Sequence, residues 1–252
     1  MNHLSLDEQH QRYLDQAGWT KTIREYLFSR ASFQTQNAVV EVGSGTGAIL
    51  QSLLEEGDFT LTGVDINRSA LHYAKKNEKT FRLIQATGNQ LPFSDSCFDI
   101  SYCHYLLLWV SHPMRILSEM RRVTRPGGCV IALAEPDHQS RIDYPPPLDR
   151  LGEHQTQALQ AQGADTSMGR KLSTLFHQVG LKDIEVGILG ALWKTKGDHP
   201  AENSEWMTLQ ADIEEKLSAD NLLEYQHINK SAWANGRRIL FVPTFYAVGV
   251  VE

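Results

Sequence analysis

A glycine-rich loop between a buried strand and a helix constrains the fold of this chain more than any other feature. The run Ala38–Val42, AVVEV, is apolar and β-branched apart from one glutamate, and residues 43–47, GSGTG, follow it directly. Apolar residues then recur at helical spacing over residues 48–56. Glycine lets the backbone approach a ligand closely, and the start of a helix has free N–H groups. The segment therefore predicts a ligand-binding turn at the carboxyl end of a strand.

The same alternation of strand and helix continues along the chain. Short apolar runs predict strands at 60–64, 81–86, 98–103, 129–134 and 184–189, with two further runs around Pro243 in 238–250. Helical spacing of apolar residues predicts helices at 69–77, 113–123 and 172–179. Strands that alternate with helices are joined by right-handed crossovers. We therefore expect an α/β fold with a doubly wound, mainly parallel sheet of about seven strands.

The segments outside this alternating core differ from it in composition. The length of 252 residues suits one domain. Within it, residues 1–35 predict an N-terminal helical cap and residues 38–134 the ligand-binding core. Two insertions, 135–168 and 198–235, are rich in polar residues or prolines and predict helical segments that form a lid over a substrate. The first insertion is expected to contain one polar helix.

Composition narrows the class of partner. The net charge is −6 and the pI about 5.9, with lysine and arginine scattered, so a nucleic-acid partner is disfavoured. The three cysteines form no CxxC pair, and no apolar stretch is long enough to span a bilayer. We therefore expect a cytoplasmic protein with no membrane partner, whereas the sequence gives no signal for an oligomeric state.

Two acidic residues, Glu41 and Asp65, lie beside the loop and are compatible with more than one class of ligand. Gly43, Gly45 and Ala48 satisfy the dinucleotide pattern G-x-G-x-x-A, and Asp65 follows where a ribose-binding acid belongs. An NAD-linked oxidoreductase is therefore one hypothesis. Against it, a Glu41 carboxylate would repel a pyrophosphate and would favour an ammonium or sulfonium group. An ordinary strand-to-helix turn without a ligand is the remaining alternative.

Successive motifs resemble those of one known family. They are VVEVGSGTG at 39–47, GVDI at 63–66, LPF at 91–93 with FDI at 98–100, and RVTRPGG at 122–128. In this order and spacing they resemble the class I S-adenosylmethionine-dependent methyltransferases, in particular the small-molecule enzymes with a UbiE-like domain. The resemblance covers residues 38–134 strongly and the flanks loosely. It implies a Rossmann-like fold, S-adenosylmethionine as cofactor and methyl transfer as the activity.

The resemblance also implies which residues bind the cofactor. The methionine part would be lined by Glu41, Gly43, Ser44 and Gly45. Asp65 would hold the ribose hydroxyls, and Ile66 would pack on the adenine. Thr87 stands where the family usually has an aspartate for the adenine amino group, so the Asn89 amide is a candidate replacement acceptor. Gly88 would offer its backbone N–H, and Cys103 would lie beside the sulfonium.

The acceptor side is less well defined. His104 would face the methyl group and is the candidate general base, although it is more readily explained as packing on the cofactor. A candidate substrate pocket consists of Tyr13, Trp19, Tyr105, His138, Arg141 and Tyr144. For each of these residues, simple packing is an equally good explanation.

Three further expectations concern the acceptor, metals and catalysis. The Asx-Pro-Pro-aromatic motif of nucleic-acid amino-methyltransferases is missing after the strand at 98–103, which favours a small organic acceptor. Glu135 and Asp137 could imitate a Mg²⁺ pair, but a third ligand is not evident and no metal is expected. A non-catalytic module that binds cofactor without turning over an acceptor remains an alternative.

Overall fold

The structure is a computed structural model that describes residues 5–30, 37–78, 80–188, 200–214 and 216–252. At the N-terminus, the single helical segment predicted for 1–35 is two helices, α1 (Leu6–Trp19) and α2 (Lys21–Arg30). Residues 1–4 and 31–35 of that prediction lie outside the described residues. The break is at Thr20, whose N–H still donates to Gln16 O but whose hydroxyl also bonds the carbonyls of the preceding turn. Ser5 and Glu8 form a capping box that starts α1.

The core elements follow the predicted order closely. The strands are β1 (Ala38–Val42), β2 (Thr60–Asp65), β3 (Arg82–Gln85), β4 (Phe98–Cys103) and β5 (Thr124–Pro136). The helices between them are α3 (Ala48–Glu56), α4 (Arg68–Asn77) and α5 (Pro113–Val123). β5 is longer than the predicted 129–134 at both ends.

The second half of the chain contains more regular structure than predicted. Its helices are α6 (Leu148–Ala161), α7 (Met168–Gln178), α8 (Pro200–Ile213) and α9 (Ala219–Ala234). Its strands are β6 (Ile142–Tyr144), β7 (Lys182–Ile188), β8 (Ile239–Phe241) and β9 (Thr244–Val250). The first insertion therefore holds a short strand besides its helix, and β6 pairs antiparallel with β8. Residue 189 of the predicted strand 184–189 lies outside the described residues, as do residues 198–199 and 215 of the second insertion.

The main sheet has seven strands in the order β3-β2-β1-β4-β5-β9-β7. Strands β1 to β5 are parallel, and β9 is antiparallel to both β5 and β7. This confirms the predicted doubly wound, mainly parallel sheet. The chain runs outward from β1 in one direction and then returns to β4 on its other side. A crevice therefore opens at the carboxyl ends of β1 and β4, which is where such sheets bind ligands.

Alternate residues of the strands face two separate layers of helices. Val40 faces a core that includes Leu117 and Phe176 of α5 and α7. Its neighbour Val39 faces the opposite core, which includes Leu27 of α2 and Leu53 of α3. Both layers follow from the two-residue period of a strand that is buried on both faces.

The two insertions have a small core of their own. It joins α6, α8 and α9 through the buried residues Leu148, Leu151, Ala158, Trp206, Leu209, Ile213 and Ala232. The insertions therefore pack against each other over the carboxyl edge of the sheet rather than extending separately into solvent. Among the described residues, the structure has no helix whose length and apolar character would let it cross a bilayer.

Candidate functional site

The glycine loop after β1 is held in a tight turn by β2. The N–H groups of Gly43 and Ser44 both donate to Val64 O, at 2.8 and 3.0 Å. Gly43, Gly45 and Gly47 have positive φ values of 81°, 50° and 78°, a region that favours glycine. A Cβ on Gly43 would lie 2.8 Å from a methyl carbon of Leu106, so a larger residue would have to displace the Leu106 side chain. The turn exposes backbone to the crevice, as the sequence predicts.

Asp65 ends β2 and is fixed beside this loop. Its Oδ2 accepts a hydrogen bond from the Gly45 N–H at 2.7 Å, and its Oδ1 accepts one from the Asn67 N–H, also at 2.7 Å. Each carboxylate oxygen has a further lone pair. The side chain is therefore oriented in advance and keeps one acceptor position on each oxygen for a ligand.

Glu41 lies at the carboxyl end of β1 and is 2% exposed. The Tyr102 hydroxyl donates to its Oε2 at 2.9 Å. Burial raises the pKa of Glu41 to about 8, and the charge of Asp65 adds to the increase. The side chain is therefore mostly neutral at pH 7 in the free protein. This corrects the electrostatic argument against a pyrophosphate, which assumed a charged Glu41.

The raised pKa of Glu41 predicts how stability changes with pH. In the unfolded chain this carboxyl loses its proton near pH 4.5, whereas in the folded protein it does so near pH 8. Its stabilising contribution is complete below pH 4.5 and is lost as pH rises through 8. Between pH 7 and 8.5 we expect the free energy of unfolding to fall by about 1 kcal/mol more in the wild type than in Glu41→Gln. Urea unfolding at both pH values measures this.

The matched control is Glu55→Gln, which removes an exposed carboxylate from the adjacent helix α3. It should keep the pH dependence of the wild type. His104 and His138, whose pKa values burial lowers to about 3 and 4, act with the opposite sign and mainly below pH 6.5, outside the chosen range. If the free energy of unfolding had the same pH dependence in the wild type and in Glu41→Gln, the raised pKa assigned to Glu41 would be contradicted.

A single cavity of about 840 Å³ extends from the glycine loop to the two insertions. It brings together most of the predicted site: Glu41, Gly43, Ser44, Gly45, Asp65 and His104, with Tyr13, Trp19, Tyr105, His138 and Arg141. Helix α1 covers the loop, because Tyr13 lies against Gly45 and His10 Nδ1 lies 2.8 Å from Thr46 Oγ1. The N-terminal segment and the insertions therefore close the crevice at the edge of the sheet.

Six predicted site residues are not among the described residues that line the cavity: Ile66, Thr87, Gly88, Asn89, Cys103 and Tyr144. Ile66 is 72% exposed and Tyr144 is 52% exposed. Cys103 packs in the core behind the crevice, where burial raises the pKa of its thiol. Thr87 is exposed, and its Oγ1 accepts a hydrogen bond from the Asn89 N–H at 3.2 Å. Asn89 and its two predecessors follow β3 next to Asp65, at the open side of the crevice.

His104 borders the cavity as an uncharged imidazole. Its Nε2 lies 3.3 Å from Thr20 Oγ1, and its ring meets the ring of Tyr105 edge to face at 4.6 Å. Burial lowers the pKa of His104 to about 3, with a smaller contribution from the buried charge of Arg24. A group with so low a pKa is a weak proton acceptor at neutral pH. The structure therefore favours a packing role for His104 over general-base catalysis.

Glu135 is an important residue that the sequence did not assign to this role. Its carboxylate accepts hydrogen bonds from three successive backbone N–H groups, of Leu106 and Leu107 at 3.0 and 2.8 Å and of Leu108 at 3.1 Å. The loop after β4 is therefore tied to β5. Asp137, the second acid of the considered Mg²⁺ pair, accepts a hydrogen bond from Arg170 Nη2 at 2.8 Å. The spacing of the two acids in the sequence, with Pro136 between them, gave no sign of either contact.

Many more residues of the cavity wall were not predicted from the sequence, among them Arg12, Gln155 and Asp212. These three come from α1, α6 and α8, which lie far apart in the sequence. The only sign of these residues in the local sequence was that Arg12 directly precedes Tyr13, a predicted residue of the substrate pocket.

Comparisons with known proteins agree with this geometry. Residues 40–132 match the family model described as a methyltransferase domain. The chain contains a class I S-adenosylmethionine-dependent methyltransferase domain. The match covers the glycine loop, Asp65 and β4. It gives no support to the NAD-linked alternative.

Relatives with curated names match a little under half of the chain. Malonyl-[acyl-carrier protein] O-methyltransferase of Pectobacterium atrosepticum is 35% identical over 114 residues, which cover 45% of this chain and 44% of that protein. Demethylmenaquinone methyltransferase of Paenarthrobacter aurescens is 28% identical over 121 residues, 48% of this chain and 47% of that protein. The chain thus spans less than half the length of either relative.

The similarity in fold to solved structures covers most of the chain. The complex of Haemonchus contortus phosphoethanolamine N-methyltransferase 2 with phosphomonomethylethanolamine and S-adenosylhomocysteine superposes with a TM-score of 0.58, and its complex with S-adenosyl-L-methionine with a TM-score of 0.57. The latter alignment covers 87% of this chain and 50% of that chain at 14% identity. At this identity the likeness concerns the fold alone.

Proposed function

We propose that this chain transfers a methyl group from S-adenosylmethionine to a small organic acceptor. The observation that carries the proposal is the single cavity of about 840 Å³, which joins the glycine loop to the two insertions. Ligand cavities usually measure roughly 300–1,000 Å³, so this one has room for a cofactor and a small acceptor together. A methyl donor and its acceptor need such a shared, enclosed space, because the transfer is an in-line displacement between them.

The residues at the sheet edge fit this cofactor. Ser44 Oγ is buried and lacks a hydrogen-bond partner in the described part of the chain, so it is available to a polar ligand. Glu41, Gly43 and Gly45 complete the proposed methionine end. When bound, the cofactor supplies an electrophilic methyl group on its sulfonium. The positive charge of the sulfonium and ammonium groups would favour the ionised form of Glu41.

The nucleoside part is assigned to the open side of the crevice. Asp65 has one free acceptor position on each oxygen, which suits the two hydroxyls of a ribose. Asn89 Oδ1 is buried and, within the described ranges, lacks a hydrogen-bond partner, so it is suited to accept from the adenine amino group. Exposed Ile66 offers an apolar surface for the ring, with Thr87 and the Gly88 N–H beside it.

The acceptor half is assigned to the cap and the insertions of a single domain. Residues 1–35 would form the cap and residues 135–168 and 198–235 the lid. Tyr13, Trp19, Tyr105, His138 and Arg141 would surround the acceptor, whereas exposed Tyr144 would lie at the margin. The carboxylate of Glu135 holds the loop that follows Tyr105. The role of these residues would be to align the acceptor and exclude water rather than to remove a proton.

Calorimetric titration with S-adenosylhomocysteine tests the cofactor assignment. We expect one binding site per chain for S-adenosylhomocysteine and no binding of NADH under the same conditions. A second measurement follows methyl transfer from labelled S-adenosylmethionine to pools of small molecules. NADH binding without S-adenosylhomocysteine binding would overturn the proposal. Cofactor binding without transfer to any acceptor would favour the non-catalytic alternative.

A further inference from the structure

Arg12, on α1, lines the cavity with a guanidinium group that is only loosely paired. Its Nη2 lies 3.7 Å from Asp212 Oδ1, which is longer than a hydrogen bond. Its Nε is buried and has no hydrogen-bond partner within the part of the chain that the structure describes. Nε and Nη2 lie on one edge of the planar guanidinium, and this edge matches the two oxygens of a carboxylate. Asp212 therefore leaves that edge largely available.

The other arginine of the cavity wall, Arg141, is differently placed. Its Nε donates to Asp143 Oδ2 at 2.6 Å, and its Nη1 donates to Gln155 Oε1. Gln155 Nε2 in turn donates to Asp212 Oδ2 at 2.8 Å. These four side chains form a hydrogen-bonded chain that holds Asp212 in place. Arg12 stands at its end, with a donor edge that the chain does not use.

The surroundings of Arg12 suit an anion with a single charge. His138 lines the same cavity, and its Nδ1 too is buried without a hydrogen-bond partner among the residues described. Burial and the charge of Arg141 lower the pKa of His138 to about 4, so its ring is neutral. It can add a hydrogen bond without adding charge. Asp212 would repel a doubly charged group such as a phosphate more strongly than a carboxylate.

The wall also has an apolar part. The cavity that Arg12 lines is bounded by Leu159, Leu209, Trp233 and Phe241 as well, alongside polar residues such as Gln162 and Thr208. A ligand that reaches Arg12 would therefore be expected to carry an apolar body besides its charged group.

We propose that the methyl acceptor carries a carboxylate, which binds the Nε–Nη2 edge of Arg12 in place of Asp212. This inference rests on the proposed methyl transfer, since it names the class of acceptor for the same cavity. Asp212 acts as the resting partner of Arg12, and the acceptor carboxylate displaces it by offering two short hydrogen bonds instead of one long ion pair. The apolar part of the wall holds the remainder of the acceptor.

Calorimetry with matched pairs of acids and amides tests the proposal. The probes are octanoate with octanamide and 3-phenylpropanoate with 3-phenylpropanamide, titrated into protein saturated with S-adenosylhomocysteine. We expect at least one acid to bind tenfold or more tightly than its amide. Arg12→Gln should abolish this preference, and Arg12→Lys, which keeps the charge but not the two-donor edge, should retain part of it. Arg150→Gln, which removes an exposed charge from α6, should leave it unchanged.

Asp212→Asn distinguishes a binding role from a structural one. If Asp212 competes with the acceptor, Asp212→Asn should bind the acid several-fold more tightly. If the ion pair only supports the fold, both Arg12→Gln and Asp212→Asn should bind the acid more weakly. The proposal is overturned if neither acid is preferred over its amide, if Arg12→Gln keeps the preference, if Asp212→Asn weakens acid binding, or if octyl phosphate binds more tightly than octanoate. Titration of S-adenosylhomocysteine alone comes first, because its failure would instead count against the proposed function.

Discussion

Replacing Asp65 with alanine is expected to lower the affinity for S-adenosylhomocysteine about 100-fold. In the proposed site each oxygen of Asp65 receives a ribose hydroxyl, and hydrogen bonds to a charged group are worth about 1.5 kcal/mol or more each. Losing two of them corresponds to about 3 kcal/mol, or about a hundredfold in the dissociation constant. The substitution also removes the acceptor of the Gly45 and Asn67 N–H groups, which loosens the glycine loop. Calorimetric titration measures the change.

Two further variants make this result specific. Asp65→Asn keeps the size of the side chain and one oxygen acceptor, so its loss should be smaller than that of Asp65→Ala. Asp58→Ala removes an exposed carboxylate just before β2 and should leave the affinity unchanged. Unchanged affinity in folded Asp65→Ala would remove Asp65 from the cofactor site.

Replacing Arg24 with leucine is expected to destabilise the protein by about 3–5 kcal/mol. The Arg24 side chain is fully buried and joins three helices. Its Nη2 donates to Ser52 Oγ at 2.7 Å, its Nη1 donates to Ala17 O at 3.1 Å, and it pairs with the Glu56 carboxylate. Removing the guanidinium leaves the largely buried Glu56 carboxylate without its ion pair and takes one of its donors from the Ala17 carbonyl. The free energy of unfolding in urea measures the cost.

The comparison variants separate the buried pair from a general effect of lost charge. Lys21→Leu removes an exposed cation from the same helix and should change stability by less than about 0.5 kcal/mol. The double variant Arg24→Leu with Glu56→Leu should recover part of the loss, because no unpaired buried charge then remains. A cost below about 1 kcal/mol for Arg24→Leu alone would show that water replaces the lost contacts.

The core of the fold could be predicted because its signals are local. Helix α3 and strand β4 have the predicted bounds, 48–56 and 98–103. In each case the spacing of the apolar residues is typical of one kind of element, a helix for α3 and a buried strand for β4, and Gly57 marks the end of the helix. The motifs around Asp65 likewise occur in a fixed order along the sequence. Local pattern was therefore sufficient for the sheet and for one end of the cavity.

The remaining features depend on contacts between distant segments. The break at Thr20 has no proline to mark it, Gly18 lies two residues earlier inside α1, and apolar residues keep a helical spacing on both sides. Strand β6 becomes a strand by pairing with β8, from which it is separated by more than one helix. Arg12 and Asp212 meet only because α1 and α8 pack over the same cavity. The sequence pattern cannot predict these features, because tertiary packing determines each of them.

The position of β9 has a consequence for how the sheet is assembled. Strand β9 comes last in chain order, yet it lies between β5 and β7 and pairs with both. During synthesis on the ribosome, β5 therefore has an unpaired edge and β7 has no place in the sheet until residues 244–250 emerge. Contacts between such distant segments slow folding, because a long loop must close before they form. The parallel half, β1 to β5, can pair earlier, so the nascent chain would form its ligand-binding edge before its sheet is complete.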